Sequence, residues 1–223
     1  MFLSRLLFLG FASCVVAADP GFKSFFNEIA QDNKAFVEKH QPDYFNGMAN
    51  SQKPIATVVL CSDSRMQDEA FDDDTINKLF VIRNIGNQLE TAQGSIDYGV
   101  TVLKTPILMI VGHSACGAVD ARLHIDHLKD LSPAITKEVK SIVIDSSKTL
   151  PHAVVDNVNY QVKQACERYA DYIKDNKLIV VGAIYDFKND YGHGLGKFFV
   201  INMNGQANLD KKTNKNLIVE DLL

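Results

Sequence analysis

The stretch Ile55-Ala56-Thr57-Val58-Val59-Leu60 runs without a charge into Cys61-Ser62-Asp63-Ser64-Arg65. Six apolar or β-branched residues with no polar alternation describe a strand covered on both faces, the habit of parallel sheets. Four further runs read the same way: Leu79-Phe80-Val81-Ile82, Ile107-Leu108-Met109-Ile110-Val111 behind Pro106, Leu178-Ile179-Val180-Val181, and Phe198-Phe199-Val200-Ile201 before an Asn204-Gly205 turn. Helical spacing separates them. Ile96, Val100 and Leu103 share a face over 92–104, and Val155, Val158, Val162, Ala165, Tyr169 and Ile173 step by three or four. The pattern predicts an α/β fold with a mostly parallel central sheet of about five strands flanked by helices.

An N-terminal helical arm precedes the sheet. Asp19 offers a cap, Pro20 suits the first helical position, and Phe22, Phe25, Phe26, Ile29, Phe36 and Val37 recur at helical spacing as far as His40. Such a face covers either its own core or a partner subunit. The polar tail after Leu209 is expected to fray. No repeat or linker interrupts residues 19–223, which are taken as a single domain.

In open α/β sheets, sites form beyond the carboxyl ends of the strands. Cys61-Ser62-Asp63-Ser64-Arg65 follows the first strand directly, and Gly112-His113-Ser114-Ala115-Cys116-Gly117 follows the third. Two thiols and an imidazole from these ends make a Cys2His set that zinc accepts, with a fourth position left for water or substrate. Thiolates disfavour magnesium and calcium. Gly112 and Gly117 are expected to permit a tight turn around the metal. Asp63 either ligates zinc or accepts a hydrogen bond from the metal's water, and the planar fork of Arg65 is suited to hold it off the metal. A phosphatase-type role for Cys61 is set aside, because the arginine stands four residues beyond it where that chemistry needs six.

Composition narrows the classes. The 223 residues are 46% apolar and 22% charged, enough to bury a core, and the net charge of −4 carries no basic stripe for nucleic acid. Met1 to Ala18 places one cation, Arg5, before an apolar run ending in small residues, which reads as a secretory signal peptide. Its removal takes the net charge to −5. A second reading keeps Cys14 as a lipidated residue, against which Phe11 fits the lipoprotein box poorly. No stretch approaches the roughly 20 apolar residues that span a bilayer, so no membrane span is expected and the location is periplasmic or secreted. Without Cys14 three cysteines remain: Cys61, Cys116 and Cys166. An odd number does not make a disulfide scaffold, and metal binding is the better use.

Cys-Ser-Asp-Ser-Arg at 61–65 with Gly-His-Ser-Ala-Cys-Gly at 112–117 resembles the β-class carbonic anhydrases. Arg83-Asn84-Ile85-Gly86-Asn87 is similar to another segment of that family, as is Ser95-Ile96-Asp97-Tyr98-Gly99-Val100, with Asp97 and Gly99 as departures. The resemblance covers residues 22 to 203. It implies zinc on Cys61, His113 and Cys116, a catalytic Asp63–Arg65 dyad, Gln52 and Tyr98 lining the carbon dioxide pocket, and a homodimer or dimer-based oligomer with the N-terminal helices over the partner. The implied reaction is reversible hydration of carbon dioxide to bicarbonate and a proton. Family members hold the aspartate off zinc or bind it there. Those of the second kind carry tryptophan where Val58 stands here, so the open form is expected, with Asp63 a zinc ligand only in a closed state. His124, His127, His152 and His193 are candidates for moving the proton out. The alternatives are a carbon disulfide or carbonyl sulfide hydrolase of the same family and a non-catalytic zinc-binding assembly protein. The latter predicts loss of Asp63 or Arg65, and both are present.

Overall fold

The computed structural model describes residues 20–126, 131–207 and 217–218. The candidate signal segment, Cys14, the Asp19 cap and His127 lie outside them. The chain divides into two compact units, residues 1–51 and 52–223.

In the first unit, α1 (Pro20–Lys39) begins at the expected proline. Lys39 in its last turn complements the carbonyl end of the helix. His40 stops the helix: its ring lies 4.1 Å from that of Phe36 and 4.2 Å from Tyr44, and its Nδ1 is 2.7 Å from the Phe36 carbonyl. Tyr44 belongs to α2 (Pro42–Met48), again opened by a proline. Phe22, Phe25, Phe26, Ile29 and Val37 on α1 are between 45% and 57% exposed.

The second unit is built on a seven-stranded sheet. Its strands are β1 (Ala56–Cys61), β2 (Leu79–Asn84), β3 (Ile107–His113), β4 (Ile179–Asp186), β5 (Lys197–Met203), β6 (Gln206–Ala207) and β7 (Leu217–Ile218). The order is β2-β1-β3-β4-β5-β6, with β7 also paired to β5. The first four are parallel, and β5 turns antiparallel to β4. All six residues of β1 are buried, as an uninterrupted apolar run requires. Its register with β3 sets Leu60 beside Val111, so both strands end at the same edge of the sheet. The Asn204-Gly205 turn closes the β5–β6 hairpin with both residues at positive φ. Within the tail expected to fray, Leu217 and Ile218 instead pair with Val200 and Phe199; two consecutive apolar residues add backbone pairing to β5.

The helices are α3 (Gln93–Asp97), α4 (Gly117–Leu123), α5 (Pro133–Lys140), α6 (Leu150–Arg168) and α7 (Ala170–Lys174). Two expected helices depart from the regular pattern. The one over 92–104 widens into a π-helical turn at Tyr98–Val102, where the Thr101 hydroxyl donates to the Asp97 carbonyl at 2.7 Å and Leu103 N–H reaches back to Tyr98. The one expected to run to Ile173 breaks at Tyr169 (φ −108°, ψ 28°), whose hydroxyl donates to Asp97 Oδ1 at 2.7 Å beside the Arg168–Asp97 ion pair.

The helix α6 lies against β3 and β4 and buries Val154, Val158, Val162 and Ala165. Gly112 makes this approach possible. It sits inside β3, and a β-carbon there would stand 2.6 Å from Val158 Cγ2 and 3.0 Å from Val154 Cγ1. Gly112→Ala is therefore expected to cost about 1–3 kcal/mol through overpacking, read as a lower Tm by calorimetry. An unchanged Tm would contradict this account of the helix–strand contact.

Candidate metal and acid–base site

Cys61 closes β1, His113 closes β3, and Cys116 follows three residues later, all three buried. Their ligand atoms lie within 4.8 Å of one another, with the two sulfurs 4.0 Å apart. The return from His113 to Cys116 is made by Ala115, at φ +53°. This corrects the turn role expected of the glycines: Gly112 is a packing residue, and Gly117 is the first residue of α4 and faces open space. Cys116 is the N-cap residue of α4, which places its sulfur at the amino end of that helix.

His113 shows which of its nitrogens is available. Nδ1 lies 2.9 Å from the Ser114 carbonyl, an acceptor only, so Nδ1 carries the proton and donates. Nε2 is then a bare lone pair, and it is buried without a hydrogen-bond partner. A buried acceptor beside two thiols is a set of one nitrogen and two sulfurs that suits zinc, with the backbone carbonyl fixing the histidine tautomer as metal sites commonly do. The thiols are unequal. Donation from Cys116 holds Cys61 well below the usual thiol range against the opposing effect of burial, with help from the amides of Gly86 and Asp63. The same contact, with burial, pushes Cys116 up.

Asp63 and Arg65 form a two-pronged pair beside this cluster. Arg65 Nε donates to Oδ1 at 2.9 Å and Nη2 to Oδ2 at 2.6 Å, while the Arg65 amide donates to Oδ1 at 3.0 Å. The guanidinium side-chain bonds, first among the causes, hold the Asp63 carboxyl down at about 2. Arg65 is itself positioned from two sides: Nη2 donates to the Ala115 carbonyl at 3.2 Å, and Cζ lies 4.8 Å from the centre of the Phe187 ring. Arg83 steadies the loop after β1, with Nη2 on Asp68 at 2.6 Å and Nη1 on the Met66 carbonyl. Sequence reading missed Phe187 and the Gly86 amide on the Cys61 sulfur. Phe187 lies just past the fourth strand, at the edge where sites form, which was the available signal; a backbone N–H has no signature in residue type.

Gln52 and Tyr98 are not part of this cluster. Gln52 stands four residues before β1, and Tyr98 packs against Phe80, the register partner of Thr57, near the start of β1. Both belong to the amino edge of the sheet: Tyr98 stands level with Thr57, about 13 Å along β1 from Cys61 at the rise of an extended strand, and Gln52 precedes the strand altogether. His124 is bound to Asp120 at the end of α4, His152 to the Thr149 hydroxyl at 2.8 Å, and His193 packs on Phe199. Cys166 is a half-buried free thiol on α6 outside the cluster, pushed up by burial.

The carbonic anhydrase family model matches residues 56–194. This is more than half of the chain and includes both motifs. The chain belongs to the carbonic anhydrase family, and its fold is that of the β class. The solved β-carbonic anhydrase CcaA superposes with a TM-score of 0.73 at 19% identity over 90% of this chain and 92% of that one. A structure from a study of two tetrameric β-carbonic anhydrases of Sordaria macrospora gives 0.65 at 21% identity over 80% and 97%. Carbonic anhydrase 2 of Mycobacterium tuberculosis is 43% identical over 82 residues, 36% of this chain, and the match spans 40% of that relative's length.

The ordinary pKa of an aspartate is about 3.9, so at pH 7 Asp63 is ionised with or without its partner. Arg65 therefore fixes where the carboxylate points and not whether it is charged. Arg65→Ala is expected to raise the Asp63 titration toward the ordinary value, read from carboxyl carbon chemical shifts against pH. A midpoint still near 2 would show that another group restrains it.

Proposed function

We propose that the protein catalyses the zinc-dependent, reversible hydration of carbon dioxide to bicarbonate and a proton. The observation that carries this reading is the Arg65-held Asp63 carboxylate beside the Cys61–His113–Cys116 cluster. Those three residues would hold the metal, and bound zinc supplies the Lewis acidity that makes water a nucleophile near neutral pH. Asp63, ionised throughout the neutral range, accepts the hydrogen bond of the attacking water and so directs the remaining oxygen lone pair at the carbon. Arg65 occupies both carboxylate oxygens from the outer side, which supports the open form with Asp63 off the metal. The first 18 residues support export to the periplasm or beyond.

The protein should carry one zinc per chain by elemental analysis and hydrate carbon dioxide in a stopped-flow assay. Cys116→Ala is expected to lose metal and activity together. Arg65→Ala is expected to keep its zinc and lose about 100-fold in kcat, the size of effect that misplacing a reacting group produces. Full zinc in the first variant would defeat the ligand assignment, and an unchanged rate in the second would defeat the dyad.

The working unit in this reading is a homodimer. Two features support it: the exposed phenylalanine face of α1, and the distance of Gln52 and Tyr98 from the Cys61 of their own chain, which leaves a second copy to bring them to the pocket. Phe22→Glu combined with Phe26→Glu is expected to halve the mass seen by sedimentation and to lower activity with it. A fully active monomer would refute the shared pocket.

A further inference from the structure

Resting on the zinc site proposed above, we infer that Asn157 and Gln161 of α6 are positioning residues that aim the Gly86 amide at the Cys61 sulfur. The Gly86 N–H donates to Cys61 Sγ at 3.4 Å. Gly86 lies in the left-handed region at φ +79°, and a β-carbon there would stand 2.9 Å from Ile142 Cδ1. The position thus demands glycine, and glycine has almost no steric preference of its own. Something else must fix its orientation.

That restraint comes from buried amide side chains. Asn157 Nδ2 donates to the Gly86 carbonyl at 2.9 Å, and Gln88 Nε2 donates to the same oxygen. Gln88 Nε2 also donates to Asn157 Oδ1 at 3.0 Å. Gln161 completes the clamp: its Nε2 donates to Gln88 Oε1 at 2.9 Å, and its Oε1 accepts the Leu89 amide at 2.9 Å. Gln88, Asn157 and Gln161 are all at most 2% exposed, and each has its donors and acceptors engaged. A satisfied network in a dry interior is rigid, so Gly86 is held on both sides, its carbonyl pinned from α6 and its N–H resting on the Cys61 sulfur, and α6 fixes the residue from which that N–H projects.

The consequence lies at the sulfur. Two thiolates place two negative charges on a metal and weaken its pull on electrons. An N–H aimed at one of them draws density back, the kind of outer contact through which proteins tune metal sites. Asn157 and Gln161, sharing no contact with the ligands, thereby act on the electron donation of Cys61.

The test uses the protein with Co2+ in place of zinc, where thiolate-to-metal charge-transfer absorption reports the electron richness of the sulfur. Asn157→Leu keeps roughly the volume but can neither donate to the Gly86 carbonyl nor accept from Gln88. Its band is expected to move to longer wavelength, and its Co2+ affinity in chelator competition to fall by about tenfold, the lower end for outer contacts. Gln161→Met, which withdraws support one step further out, is expected to move the band in the same direction by less and serves if Asn157→Leu does not fold. Val162→Ala, one turn along α6 and buried against β4, controls for destabilisation and should lower Tm without moving the band. A band present in the unaltered protein and unmoved in the folded amide variants would overturn this inference alone. Absence of any thiolate band in the unaltered protein would overturn the metal-site reading and this inference with it.

Discussion

The parallel pairing of β1 with β3 is the constraint from which the site follows. Leu60 beside Val111 brings both chains out of the sheet at one edge, and the next residues to emerge include Cys61 and His113. The interaction is built from backbone hydrogen bonds between a fully buried β1 and a β3 whose last four residues are buried, so little solvent competes for it near the site. A slip of one residue would turn Cys61 to the opposite face of the sheet and dissolve the cluster. The register is protected because Val58 and Leu60 serve one core layer while Val59 and Cys61 serve the other.

Around that pairing, the loops after the strands lean on one another. Arg65, from the loop after β1, is fastened to the Ala115 carbonyl in the loop after β3 and lies over Phe187, just past β4. The acid–base pair thus draws its geometry from three strand ends. The buried sulfurs are treated in a complementary way: Cys61 accepts the Gly86 amide, and Cys116 stands at the amino end of α4. Charge is met by a guanidinium on the exposed side of the site and by peptide dipoles on the buried side.

The sheet and the ligands were legible because they rest on local pattern: short apolar, β-branched runs between helical segments read as buried parallel strands, and ligands placed directly after two parallel strands share an edge. The helices were legible in existence and less so in detail. The π-helical turn rests on a local bond one residue wider than a helix allows, from Leu103 N–H to Tyr98, and the break at Tyr169 on bonds to Asp97 made across a long sequence separation; periodicity has a term for neither. Gly112 was read as a turn former because glycine announces freedom and closeness by the same letter; only the approach of α6 tells them apart. Gln52 and Tyr98 illustrate a different limit. Resemblance carries residue identity, and their place at the far edge of their own sheet depends on three dimensions.

The contact between Gly112 and α6 ties these features together. The helix pressed onto β3 next to His113 also bears Asn157 and Gln161, so one rigid body sets both the imidazole's strand and the peptide beneath the Cys61 sulfur. The ligands are gathered during folding, driven by the packing of Val154 and Val158, and an incoming ion finds little left to organise. Pre-organisation of this kind turns core packing into metal selectivity: an ion that prefers other distances or more ligands must deform a close-packed helix–sheet contact to obtain them, and the hydrophobic core, not the ligands alone, resists it.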